Sequence, residues 1–203
     1  MLSLFLINSC GYKNEENSQY FCEKLTLNCD IKQNRIVIYT SKGLLKIQLF
    51  SESNPVTVAN FISKVESNVY VNKNFYKIIN YTNNKLIYNG INRENNLGEI
   101  NIKDVKKFDS IPLEIKLNDK EPIYETPIIN PRKIKSLQHK FEKGSLSMVK
   151  INKKRSSSTE FFFTLNKLPE FDGRYSIFGR VISGSEVLDK IEKNDLIKKI
   201  EFY

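Results

Sequence analysis

Two short apolar runs, Leu146–Val149 and Phe161–Leu165, stand on either side of Ile151–Thr159, a stretch rich in Lys, Arg and Ser. Each run is too short for a helix and is bordered by turn-forming residues, so both predict strands. In Phe161-Phe162-Phe163 the two-residue period sends Phe161 and Phe163 to one face and Phe162 to the other. A sheet with rings on both faces either buries both or leaves one as an apolar binding groove. Upstream, Ile36–Thr40 and Leu44–Phe50 predict a hairpin around Ser41-Lys42-Gly43, with Leu45, Ile47 and Leu49 on one face. Asn54-Pro55 reads as an N-cap followed by proline at the first helical position. Val58, Phe61, Ile62 and Val65 then recur at helical spacing, which predicts an amphipathic helix over Pro55–Ser67.

Asn74–Asn80 and Lys85–Asn89 predict a second pair of strands, and Ser176–Ile182 a further one. Ser185 opens a short helix with Val187, Leu188 and Ile191 inward, and Leu196–Tyr203 closes the sheet. From Ile91 to Lys143 the periodicity weakens, and Pro112, Pro122, Pro127 and Pro131 interrupt regular elements. A connection of that length is a packed insertion or a functional segment. His139, the single histidine, sits there beside lysine and reads as a surface residue. Residues 11–31 are polar and mixed, a tether without periodicity. The chain therefore divides into a signal or tether segment over 1–31 and one mostly β domain over 32–203, with a long insertion at about 91–143.

The block from Gly144 to Val181 carries a family resemblance. Gly144, Leu146, Ser147 and Met148, then Phe161, Phe162 and Thr164, then Asp172, Gly173, Phe178, Gly179 and Val181 resemble the signature of the cyclophilin-type prolyl isomerases. Asn74–Ile79 is similar to that family's Phe-His-Arg-Val-Ile strand. Ile111–Lys116 with Glu121–Tyr124 resembles an insertion of cyclophilins from photosynthetic bacteria and the thylakoid lumen. The resemblance spans roughly residues 35–203. It implies a closed, eight-stranded antiparallel barrel capped by two α-helices, and rotation about X–Pro bonds without a cofactor or metal.

That reaction needs an apolar pocket for the proline ring and a donor aimed at the prolyl nitrogen, whose lone pair returns only in the twisted state. The resemblance puts Lys77 at the position of the family's catalytic arginine, keeping the charge without the planar fork. Glu160 stands where a glutamine holds that arginine, so a charge-assisted Lys77–Glu160 pair is expected; the alternative is a solvated ion pair in a groove that no longer catalyses. Phe162 matches the pocket floor, Met148 and Val149 a neighbouring pair, and Leu86 and Phe171 its walls. Tyr175 and Tyr88 replace a histidine and a glutamine, Lys85 replaces an aromatic wall, and Lys150 stands where backbone and side chain meet the substrate. Two readings stay open: a prolyl isomerase active in protein folding, and a weak or inactive module that binds proline segments as a chaperone or assembly factor.

Composition adds two points. A formal net charge of +9 over 203 residues makes anionic partners conceivable, but the lysines are scattered and no nucleic-acid motif occurs, so no nucleic-acid partner is expected. Lys150, Lys153, Lys154 and Arg155 form a basic rim, either a solvated loop or a selector of acidic peptides. The three cysteines, Cys10, Cys22 and Cys29, fit no zinc spacing. Cys10 follows Leu4–Ser9, which resembles the end of a lipoprotein signal. Export to a periplasm or thylakoid lumen, with a lipid on Cys10 and a monomeric protein, is one expectation, and Cys22–Cys29 is then a disulfide. A cytoplasmic protein with reduced thiols is the other.

Overall fold

The computed structural model describes residues 17–81, 84–91 and 110–203. Cys10 and its apolar run, the turn at 82–83, and 92–109 of the insertion lie outside the described residues.

Helix α1 (Ser18–Lys24) precedes the hairpin of β1 (Arg35–Thr40) and β2 (Gly43–Leu49). Helix α2 (Pro55–Glu66) follows, then β3 (Lys77–Tyr81) and β4 (Asn84–Asn89). The described part of the insertion contributes three two-residue strands, β5 (Ile111–Pro112), β6 (Glu114–Ile115) and β7 (Ile123–Tyr124), and helix α3 (Pro131–Lys135). Strands β8 (Ser145–Lys150), β9 (Arg155–Thr164) and β10 (Ile177–Ser183), helix α4 (Ser185–Lys190) and β11 (Ile197–Phe202) complete the fold.

The main sheet runs β11-β1-β2-β10-β8-β9-β4-β3, with β5 added to β9. Its inner face packs Ile36, Ile47, Phe161, Phe163 and Phe178 against α2. Phe61 of α2 anchors that layer, with ring centroids 5.7 Å from Phe161 and 5.1 Å from Phe178. Period-2 alternation thus settles as expected: Phe161 and Phe163 belong to this core, and Phe162 to a separate cluster on the other face.

The closed barrel does not form. Among the described residues the sheet ends on β11 and β3. The flanking segments meet around the Asn74–Leu196 bridge through the backbone N–H groups of Asn72, Phe75, Asn194 and Ile197, without strand pairing beyond it, leaving an open half-barrel. Asn72 (φ 60°) and Asn194 (φ 75°) take left-handed conformations on the two sides of the gap, which no extended strand can include. Among the described residues there are four α-helices, not two. The expected loop Ile151–Thr159 is also shorter, because β9 already begins at Arg155, and Lys150 pairs with Ser156.

The insertion is tied to α2 through Glu114. Asn54 does not cap its own helix; its side-chain amide donates to the Glu114 carbonyl at 2.9 Å. The Glu114 carboxylate instead accepts from the backbone N–H groups of Val56 (3.2 Å) and Thr57 (2.8 Å) and from the Tyr124 hydroxyl (2.9 Å). A charged or polar oxygen at the first turn satisfies donors that have no partner inside the helix. Residues 17–31 correct the reading of an unstructured tether. Phe21 and Cys22 of α1 are buried against Val56 and Tyr124, and Cys22 is disulfide-bonded to Cys29. His139 is likewise no surface residue: it is half-buried, stacks on Phe50 at 3.8 Å and shares a hydrogen bond with the Ser53 hydroxyl. Burial, with Arg180 and Lys116 nearby, lowers its pKa to about 4, so the ring stays neutral.

Candidate active site

Strand register assembles the outer face. Lys77 on β3 lies opposite Tyr88 on β4, Tyr88 opposite Phe162 on β9, and Phe162 opposite Ser147 on β8. Directly paired residues share a face, so this is one continuous row across four strands. One step along, Ile79 and Leu86 make a second pair on the same face.

Three aromatic rings surround Phe162. Tyr88 stacks on it at 5.3 Å, Phe141 at 6.0 Å, and Tyr175 meets it edge-on at 5.7 Å. Phe171 stacks on Tyr175 at 4.7 Å. Only 1% of Phe162 is exposed, whereas Tyr88, Val149, Phe171 and Tyr175 remain half-buried and present apolar surface to solvent. Ammonium groups rest on the two tyrosines. Lys77 Nζ lies 5.6 Å from the Tyr88 centroid, and Lys150 Nζ 5.5 Å from the Tyr175 centroid. Burial, helped by Tyr175, pushes the Tyr88 phenol up to about 12, and burial raises that of Tyr175. Both are therefore neutral hydroxyls near pH 7, able to donate. The face combines apolar rings, which can pack against a proline ring, with cations and hydroxyls, which can donate to an amide.

The family profile described as cyclophilin type peptidyl-prolyl cis-trans isomerase/CLD matches residues 35–201. This chain belongs to that family. Among its relatives is peptidyl-prolyl cis-trans isomerase-like 3 of Gallus gallus, 30% identical over 158 residues, covering 78% of this chain and 81% of the relative. A peptidyl-prolyl cis-trans isomerase of Helicobacter pylori is 25% identical over 182 residues, covering 85% and 93%. A Cryptosporidium parvum cyclophilin-type isomerase, solved in the presence of the dipeptide Ala-Pro, is 26% identical with a TM-score of 0.57, covering 83% of this chain and 98% of that one. The cyclophilin AquaCyp293 of Hirschia baltica shares the fold at a TM-score of 0.60 and 16% identity, covering 92% and 80%.

Against the positions expected of a cyclophilin, this one gathers Lys77, Tyr88, Leu86, Phe162, Val149, Phe171, Tyr175 and Lys150 on or beside one face. Four expectations are corrected. First, Met148 is not a pocket residue: it pairs with Phe161, is fully buried, and belongs to the inner core. Second, Glu160 does not hold Lys77, and no ion pair joins them among the described residues. Its carboxylate accepts from the Tyr76 hydroxyl at 2.8 Å, while the exposed Lys77 leans on the Tyr88 ring. Third, Phe162 is covered rather than open, with Tyr88, Tyr175 and, from the insertion side, Phe141 packed around it. Fourth, Lys85 does not wall the groove: its ammonium donates to the carbonyls of Asp189 (3.1 Å) and Ile191 (2.6 Å) at the end of α4.

Sequence reasoning missed Phe141 and Tyr76. Phe141 lies in a stretch without periodicity, but its N–H donates to Asp172 Oδ1 at 2.9 Å, so Asp172 of the signature was the available signal. Tyr76 was visible only as the neighbour of Lys77.

Proposed function

We propose that this cyclophilin rotates X–Pro bonds of polypeptides over the Tyr88–Phe162–Tyr175 face, with Lys77 as the cationic donor. The uncatalysed bond faces a barrier of ~18–20 kcal/mol because resonance stiffens it. A donor that engages the prolyl nitrogen only when the amide is twisted stabilises the transition state above the ground state. The observation that carries this reading is the Lys77 ammonium poised over Tyr88 in the row that includes Phe162, with no carboxylate of the described residues paired to it. A single ammonium lacks the fork of a guanidinium, so turnover below that of arginine-bearing cyclophilins is expected and the active site is divergent.

Lys77 in place of an arginine, with the Lys85 ammonium turned to the carbonyls of Asp189 and Ile191, favours a second reading, a proline-binding module acting as a chaperone or assembly factor without turnover. A coupled isomerisation assay on the purified protein, with and without Lys77→Ala, separates the two. Measurable turnover that falls about tenfold in the variant supports the donor role. Peptide binding without turnover establishes the module, and unchanged turnover removes Lys77 from the mechanism.

The same reading has the protein working as an exported monomer of the photosynthetic-bacterial or thylakoid-lumen type, attached to a membrane through a lipid on Cys10. The Cys22–Cys29 disulfide supports an oxidising compartment. Mass spectrometry of the native protein tests it: an unlipidated Cys10 with Met1 retained overturns export.

A further inference from the structure

We propose that the groove selects proline segments carrying Asp or Glu beside the proline, through a cationic rim of Lys150, Lys153 and Arg174. This rests on the reading of the Tyr88–Phe162–Tyr175 face as the peptide site. The rim differs from the run of basic residues seen in the sequence. Arg155 is withdrawn from it, its guanidinium occupied by Glu125 Oε1 at 2.6 Å and by the Ser110 hydroxyl at 3.0 Å. Arg174, one residue before Tyr175, takes its place.

Lys150 holds its ammonium over Tyr175, 5.5 Å from the ring centre, at the edge of the apolar face. Burial, then the charges of Arg174 and Lys153, lower the Lys150 pKa, so its ammonium is held in a cationic surrounding. None of the three joins an ion pair among the described residues. Arg174 spends one donor on the Glu170 carbonyl at 2.7 Å, and that bond leaves its charge uncompensated. Neither Asp172 nor Glu170 on the same loop forms an ion pair with these cations. Asp172 accepts from the Phe141 N–H, and Glu170 lines a separate cleft with Glu142 and Lys143. A bound carboxylate would relieve the repulsion, whereas a lysine beside the proline would add to it. Such discrimination by like and unlike charge gives specificity and screens with salt.

Three matched proline peptides, differing only in Glu, Ala or Lys at the positions flanking the proline, test this by fluorescence anisotropy at low and high salt. At low salt the Glu peptide is expected to bind about tenfold more tightly than the Ala peptide, with the Lys peptide weakest and the gaps closing as salt rises. In a Lys150→Gln/Arg174→Gln double variant the Glu-to-Ala affinity ratio falls toward one, with thermal melting checked to show that the fold is intact. Equal affinity for all three peptides, or a ratio that survives the double variant, overturns the selection while leaving the site reading in place. Failure of every peptide to bind overturns both.

Discussion

Removal of the Glu114 carboxylate perturbs the contact that fastens the insertion to the domain. In Glu114→Ala three donors, the N–H groups of Val56 and Thr57 and the Tyr124 hydroxyl, lose their acceptor at a position with no solvent exposure. Each stranded group costs about 1–3 kcal/mol, and because the three share one acceptor we expect ~3–5 kcal/mol in total. That is a large part of the ~5–15 kcal/mol stability of an ordinary domain. Glu114→Gln keeps an acceptor of the same shape, and a phenol can accept as well as donate, so its cost is expected near ~1 kcal/mol.

Burial raises the Glu114 pKa, against the opposing pull of donors from Thr57, Tyr124 and Val56. The folded state therefore keeps this proton to a higher pH than the unfolded chain does. Its contribution is full below the ordinary glutamate pKa and is lost as pH rises through the folded value. Urea unfolding of the wild type and both variants across a pH series measures this. The Gln variant should gain on the wild type as pH rises from about 4. A wild-type-minus-Gln difference that stays flat with pH, or an Ala variant costing under ~1 kcal/mol, refutes the argument.

Two further perturbations probe the neighbouring contacts. Reducing Cys22–Cys29, or Cys22→Ser, releases a short loop and the packing of Phe21 on Val56 and Tyr124, so a loss of ~2 kcal/mol and a Tm lower by about 5 °C are expected in calorimetry; an unchanged Tm would show that α1 stays docked without the bond. Phe141→Ala should cost ~3–5 kcal/mol as a cavity forms beside Phe162, yet tighten proline-peptide binding severalfold by uncovering that ring. Lower or equal affinity in a still-folded variant would mean that Phe162 takes no part in binding.

Local period, a glycine turn and a proline at the first helical position were enough to read the first hairpin, α2, α4 and the split of Phe161 and Phe163 from Phe162. Those features depend on neighbours a few residues apart, and the chain carries that information directly. Lys77, Tyr88 and Tyr175 were legible as candidates for one face for the same reason, each lying next to recognisable motif residues. Ser156–Thr159 look like loop because they are polar, yet pairing of β9 with β8 and β5 buries them. Glu114, Phe141 and the Tyr76 hydroxyl gain their roles from partners tens of residues away: α2, Phe162 and Glu160. The amino-acid sequence by itself determined that Phe161 and Phe163 face one side of the sheet and Phe162 the other. Only the tertiary structure decided that the half-barrel stays open, that Phe162 is roofed and that Lys77 stands apart from Glu160, because burial and charge pairing at those positions depend on which distant segments pack there.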